Sequence, residues 1–236
     1  MDKALLSLLQ SVDTPTVCNA IEVAQGKRGF SNFTHGTMLC SHPTAGSIVG
    51  YARTAQIAAL NPPTEPADVI KERRMAYYKH MSTPHSQDES LPCIAVVEDL
   101  DFPDCVGAYW GEVNGYIHKA FGMVGAVTNG VMRDLGDMPD KFTVVAGSIG
   151  PSHGFVHVKS VAAGASLFGM QVNENDLVHA DRHGALVIPS SVIGELHAAI
   201  DTLLENEKIV LEPAKKPRMS FEEFEKAWSA FEKART

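Results

Sequence analysis

Cys93-Ile94-Ala95-Val96-Val97-Glu98 holds five apolar residues in an unbroken row before its first charge. An amphipathic strand would alternate apolar and polar residues. A continuous run of small and β-branched residues instead fits a strand covered on both faces, as in a parallel sheet. Gly107 to Gly111 then reads as a glycine-punctuated loop, Glu112 to Phe121 as a helix, and Val124 to Thr128 as a second buried strand. Asn129-Gly130 is a turn, and Phe142 to Ala146 is a third short strand. Strand, loop, helix and strand in succession are the mark of an α/β layer.

Upstream, residues 3–10 have amphipathic helical spacing. Ser11-Val12-Asp13-Thr14-Pro15 supplies cap and first-turn chemistry for a second helix to about Gln25, closed by Gly26 and Gly29. Ile48 to Leu60 reads as one long strand or a strand pair, and Asp68 to His80 as a charged helix. Ser82 to Pro92 is polar and proline-interrupted, and is expected as a loop. Beyond Gly147 the character turns to strands: Phe155 to Val161, Gln171-Val172, Asp176 to His179, and Ala185 to Ile188. Pro189 to Val210 reads as helix and Pro213 to Pro217 as a linker. Ser220-Phe221-Glu222-Glu223 is a capping box that opens a last helix to about Ala234. The expected organisation is one domain over residues 1–212 and a linker with an amphipathic helix over 213–236.

The 236 residues are 44% hydrophobic and 20% charged, with a formal net charge of −8. An acidic surface repels phosphate backbones, so no nucleic-acid partner is expected. The short basic run Lys215, Lys216 and Arg218 reads as a solvated linker. Cys18, Cys40, Cys93 and Cys105 form no C-x-x-C pair and read as free thiols. No apolar run reaches the ~18 residues of a membrane span, and the first ten residues lack the pattern of a signal peptide. A cytoplasmic protein without a membrane partner is expected.

The chemistry concentrates in Gly111-Glu112-Val113-Asn114 and in Gly125 to Asp137. Twenty residues separate Glu112 from Arg133; Asp134 follows at once, and Asp137 lies three positions on. Glu112 opens a helix, so the amides of Val113 and Asn114 are helix-start donors suited to a carboxylate. A helix and a return strand could bring Arg133 back beside the glycine loop. Asp134 and Asp137 would share a face if their segment is a helical turn. Oxygen ligands suit Mg²⁺ or Mn²⁺, and an arginine fork grips a carboxylate in bidentate fashion. Metal and arginine together would stabilise an enolate at an adjacent carbonyl. An Arg-Asp pair after a turn is also a common surface ion pair, and Asp134 could be only a helix cap. Spacing alone leaves both readings open.

At these residues the sequence resembles the family that groups 4-hydroxy-4-methyl-2-oxoglutarate aldolases with the regulator of ribonuclease activity A. The aldolases of that family share an acid, twenty intervening positions, Arg-Asp, two further positions and a closing acid; Glu112, Arg133, Asp134 and Asp137 match each point. The likeness extends to Thr14-Pro15-Thr16-Val17-Cys18-Asn19-Ala20, to Gly50-Tyr51-Ala52-Arg53-Thr54, and to Asn175 through Pro189. Asn19 and Asn129 depart from it, standing where the family more often has aspartate. Pro62 to Pro92 is longer and more charged than expected, and the tail after Pro213 lies outside the likeness.

The resemblance implies a swivelling β/β/α sandwich with a C-terminal helical extension, assembled as a homotrimer or homohexamer with sites at subunit interfaces. It also implies a class II aldolase. Asp134 would bind Mg²⁺ or Mn²⁺ directly, and Glu112 and Asp137 would orient water on that metal. Arg133 and the backbone of Gly111, Glu112, Val113 and Asn114 would hold the pyruvate portion. The implied reaction cleaves a 4-hydroxy-2-oxo acid, of the 4-hydroxy-4-methyl-2-oxoglutarate or 4-carboxy-4-hydroxy-2-oxoadipate type, to pyruvate and a second carbonyl compound. Oxaloacetate decarboxylation would accompany it through the same enolate. Two rivals stand: a non-catalytic regulator that binds a ribonuclease, and a lyase for another 2-oxo acid or a sugar-acid derivative. Asp137 favours the enzyme, because the regulator departs from the motif there.

His153 and His157 are four apart around Gly154-Phe155-Val156 and read as lining histidines without a third metal ligand. Phe221, Phe224, Trp228 and Phe231 form a helical apolar stripe, expected to make a subunit contact.

Overall fold

The structure, a computed structural model, describes residues 1–85 and 91–235. The loop expected over 82–92 therefore lies partly outside the described residues. Helices α1 (Lys3–Ser11) and α2 (Thr14–Gln25) open the chain, followed by β1 (Leu39–Cys40), β2 (Ile48–Ala58) and α3 (Ala67–Met81). Next come β3 (Cys93–Asp99), β4 (Ala108–Trp110), α4 (Glu112–Ala120), β5 (Met123–Thr128), β6 (Val131–Met132), β7 (Thr143–Ala146) and β8 (Ser148–Ile149). The chain then forms β9 (His157–Val161), β10 (Ala165–Leu167), β11 (Met170–Val172), β12 (Leu177–Asp181) and β13 (Gly184–Ile188). Helices α5 (Leu196–Ala214) and α6 (Phe221–Arg235) end it. None of the described helices is long and apolar enough to cross a membrane.

The main sheet runs β1-β7-β5-β3-β2-β12-β13, with β9 also pairing β2. Its centre, β2-β3-β5-β7, is parallel. The alternation within β3 shows why its sequence is apolar throughout. Cys93, Ala95 and Val97 enter one core with Tyr77, Trp110 and Phe142, while Ile94 and Val96 enter the opposite core with Leu167, Met170 and Val178. A third core packs α1, α2 and α5 on β12 and β13 through Leu9, Val17, Ile21, Leu186 and Ile200. The α/β sandwich and its C-terminal helices are as the sequence implied.

Local rules hold where they are strongest. The Asp13 carboxylate accepts from the Thr16 amide at the start of α2, and Gly26 closes that helix at φ 63°. The capping box is reciprocal: Ser220 N–H donates to the Glu223 carboxylate and Glu223 N–H to the Ser220 hydroxyl. Of the two readings open for Ile48 to Leu60, the structure has the single long strand, Ile48–Ala58. Other elements differ from expectation. The 107–111 loop contains β4, which gains its order from pairing with β6. β10 is an unforeseen partner for β11 across Phe168-Gly169, both at positive φ. The helix expected from Pro189 starts with a 3-10 turn, Ser190–Val192, before α5. α5 carries Pro213 into the stretch expected as linker, because Lys215 N–H still bonds the Leu211 carbonyl and closes the last turn. α6 seats on α5, with Ala227 buried and the Asn206 amide donating to the Ala234 carbonyl. Phe221, Phe224 and Trp228 stay exposed.

Candidate active site

The twenty-residue spacing between Glu112 and Arg133 has a topological cause. The parallel strands β3, β5 and β7 are each followed by a very short strand, and these three, β4, β6 and β8, pair in parallel as a second small sheet. The residues after β4 and after β6 are therefore neighbours. Arg133 N–H donates to the Trp110 carbonyl at 2.7 Å, which seats Arg133-Asp134 on Gly111-Glu112. One turn through α4 and back along β5 accounts for the intervening residues.

Gly111 makes the contact possible. Its backbone is extended, φ −142°, a conformation open to any residue, so the requirement is for space. A Cβ there would lie 2.5 Å from Asp134 Oδ2 and 3.0 Å from Arg133 Cγ and Nε. Gly111 is also the N-cap of α4 and has no side chain to cap it. Asp134 fills that role from across the small sheet: its Oδ2 accepts from the Glu112 amide at 3.1 Å. The amides of Val113 and Asn114 make no hydrogen bond with the described residues and remain open helix-start donors.

Asp134 is left-handed, φ 54°, an uncommon conformation that short polar side chains tolerate best. The condition that Asp134 to Asp137 form a helical turn is not met: with its first residue left-handed, the segment is a tight turn closed by Asp137 N–H to the Asp134 carbonyl, 3.0 Å. The two carboxylates therefore share no helix face.

Arg133 Nε lies 3.5 Å from Asp134 Oδ2, an ion pair whose geometry falls short of a hydrogen bond, and Nε is buried without another partner. Both side chains are about one-third open to solvent, 34% and 38%. Gly111, the Glu112 backbone, Arg133 and Asp134 are therefore brought together. The Glu112 and Asp137 carboxylates are exposed and make no hydrogen bond or ion pair to Arg133 or Asp134. No set of three metal-ligating side chains is gathered among the described residues. The Asn114 side chain is committed elsewhere, donating to the Tyr109 carbonyl at 2.7 Å and accepting from the Tyr78 hydroxyl at 3.0 Å. Of the Asn114 groups, only the backbone amide is free for a ligand, since the carbonyl bonds His118.

A cleft of about 330 Å³ opens beside Arg133, Val113 and Asn114. Sequence reading did not place Arg74, Tyr78 or Tyr109 there, although Arg74 and Tyr78 stand four apart on one face of α3. His153 and His157 line it too, as expected for histidines without a third ligand. Each ring bonds a backbone carbonyl through Nδ1, to Gly154 at 2.7 Å and to Phe155 at 2.8 Å. Burial pushes the Tyr109 phenol well above its ordinary value, and the phenols of Tyr77 and Tyr78 add to the effect. The histidine beneath the cleft, His118, is held neutral: burial lowers its pKa to about 4, against a smaller opposing effect from its hydrogen bond to the Asn114 carbonyl.

Asn129 also finds an account. Its side-chain oxygen accepts from Asp99 N–H at 2.7 Å and its amide donates to the Asp99 carbonyl at 3.0 Å, tying the end of β3 to the end of β5. Aspartate could not make the second bond while ionised.

Solved structures share this architecture. An uncharacterized protein from Pseudomonas syringae pv. tomato superposes with a TM-score of 0.69 at 19% identity, covering 97% of this chain and 94% of that one. Streptomyces coelicolor RraAS2, described as an unusual member of the RNase ES inhibitor RraA protein family, gives 0.63 at 19% identity, with coverage of 92% and 98%. At such identity the likeness is one of fold alone. No protein of curated function matches the sequence. A family model described as RraA-like, Aldolase/RraA, matches residues 14–187, most of the chain and all of the Gly111–Asp137 site, and by that match the protein belongs to the RraA-like family.

Proposed function

We propose that the protein is a divalent-metal-dependent class II aldolase that cleaves a 4-hydroxy-2-oxo acid to pyruvate and a second carbonyl compound, and decarboxylates oxaloacetate as a side reaction. The observation that carries this reading is the seating of Arg133 and Asp134 on Gly111, with the helix-start amides of Val113 and Asn114 open beside them.

Arg133 and those amides form a carboxylate receptor. The guanidinium presents a planar fork, and the helix terminus adds N–H donors and a favourable dipole. The substrate C1 carboxylate binds there, which fixes the adjacent C2 carbonyl. Asp134 is the residue to hold Mg²⁺ or Mn²⁺. Its Oδ2 is engaged by the Glu112 amide, whereas Oδ1 has no hydrogen bond. A lone carboxylate with neighbouring acids at longer range fits a hard ion that keeps most of its waters. Such an ion supplies Lewis-acid stabilisation of the negative charge that grows on the C2 oxygen. Glu112 and Asp137 orient water that takes the proton of the C4 hydroxyl. The C3–C4 bond then breaks, its electrons form the pyruvate enolate, and C3 takes up the proton that the water removed from the C4 hydroxyl. Decarboxylation of oxaloacetate forms the same enolate by loss of CO₂. The exposed stripe of Phe221, Phe224 and Trp228 is the surface we assign to contact between subunits in a homo-oligomer, trimer or hexamer.

The test is pyruvate release from 4-hydroxy-2-oxo acids and from oxaloacetate, with Mg²⁺ or with chelator, for wild type and Arg133→Ala. Metal-dependent release that Arg133→Ala abolishes supports the reading. No turnover of any substrate would refute it and leave the ribonuclease-regulator reading in its place. Turnover untouched by Arg133→Ala would refute the site.

A further inference from the structure

We infer that Arg74 is a specificity-determining residue that binds a second, distal carboxylate of the substrate, so that the cleft selects dicarboxylic over monocarboxylic 2-oxo acids. The inference rests on the 2-oxo acid reading above and deepens it.

The cleft is cationic in a chain whose formal net charge is −8. Arg74 and Arg133 both line it, and among the described residues no aspartate or glutamate does. Two neighbouring arginines on α3 are treated differently by the fold. Arg73 is held by Glu65 at 2.6 Å, in a cluster that Lys159 joins at 3.0 Å. Arg74 makes no ion pair or hydrogen bond with any described residue. A guanidinium on a cleft wall with no carboxylate partner among the described residues is suited to receive an anionic ligand group. At about 330 Å³ the space is at the small end of ordinary ligand sites and fits a short-chain diacid.

The helix that carries Arg74 is anchored along its C-terminal half. At its C-terminal end Glu174 lies 3.3 Å from His80 and 2.8 Å from Arg53 Nη1, while Arg53 Nη2 donates to the Thr83 and Pro84 carbonyls. Burial would raise the Glu174 carboxyl, but the close approach of the His80 ring and hydrogen bonds from Thr54 and Arg53 outweigh it and hold it at about 2. Just before that end, the buried Tyr77 bonds His118 at 2.6 Å and Tyr78 bonds Asn114, the residue whose amide belongs to the C1 receptor. These two tyrosines stand three and four positions beyond Arg74, on the same side of α3. Packing thereby holds the backbone that carries Arg74 beside the C1 receptor, and the exposed Arg74 side chain reaches into the cleft from that fixed base.

Calorimetric titration in the presence of Mg²⁺ with two probes tests this. Pyruvate carries the C1 carboxylate only, and 2-oxoglutarate adds a distal one. Wild type is expected to bind 2-oxoglutarate about 10- to 100-fold tighter than pyruvate. Arg74→Gln should erase that preference and leave pyruvate affinity within about twofold. Arg73→Gln, which removes the same charge from the adjacent position, should keep it. Arg133→Gln should weaken both probes alike. A preference that survives Arg74→Gln, or its absence in wild type that still binds pyruvate through Arg133, overturns the inference and leaves the aldolase reading intact. Wild type that binds neither probe overturns both.

Discussion

Replacing Gly111 with alanine adds a single methyl group where the account has no room for one. The backbone there is extended and accepts alanine without strain, so the whole effect comes from contact. The new carbon would stand 2.5 Å from Asp134 Oδ2 and 3.0 Å from Arg133 Cγ and Nε. Normal contact requires the Asp134 carboxylate to retreat by about 1 Å. Because Asp134 and Arg133 are about one-third exposed, they can move, and the loss of stability should be at the low end for overpacking, about 1 kcal/mol. For a chain of this size that lowers the melting temperature by roughly 2–4 °C. Catalysis should suffer far more, since a shift of about 1 Å in a positioning group can reduce rate about 100-fold. Thermal melting and pyruvate-release kinetics on the same preparation separate the two effects. A Gly111→Ala protein with kcat/KM within about twofold of wild type would show that the Gly111–Asp134 contact does not position the chemistry.

Two further predictions concern stability around the site. Asn129→Asp replaces the donor to the Asp99 carbonyl with an acceptor in a buried position, and should cost about 1–3 kcal/mol in chemical denaturation at neutral pH; an unchanged midpoint would refute the strand-end tie. His118 has a folded pKa of about 4, below its ordinary 6.5, so the unfolded chain binds the extra proton first as pH falls. Its contribution is present above about pH 6.5 and is lost as pH drops towards 4, by about 2 kcal/mol between pH 7 and pH 5. The slope of unfolding free energy against pH should flatten in His118→Gln, and equal slopes in the two proteins would contradict the buried neutral imidazole.

The sequence made some of this legible because certain signals are local. The unbroken run in β3 announced burial on two faces, and Asp13, Gly26 and Ser220 marked helix ends through chemistry within a few residues. What escaped depends on long-range pairing. β4, β6 and β8 have two or three residues each, too few for any periodic signal, yet they join Gly111 to Arg133. The motif could be recognised by its spacing, but the reason for that spacing could not. The left-handed turn at Asp134 was hidden because aspartate suits helix starts as well as turns. Arg74 was hidden because nothing in its own segment separates it from Arg73; only the fold sends one to Glu65 and the other to the cleft.

The most direct measurement is the Mg²⁺ dependence of pyruvate release in wild type and Asp134→Asn. Asparagine tolerates the left-handed conformation and can still accept from the Glu112 amide, so the folded structure should keep its melting temperature. The account predicts saturable activation of the wild type by Mg²⁺ and loss of that activation, by about 100-fold or more in kcat/KM, in the variant. Equal Mg²⁺-dependent turnover by the two proteins would contradict it.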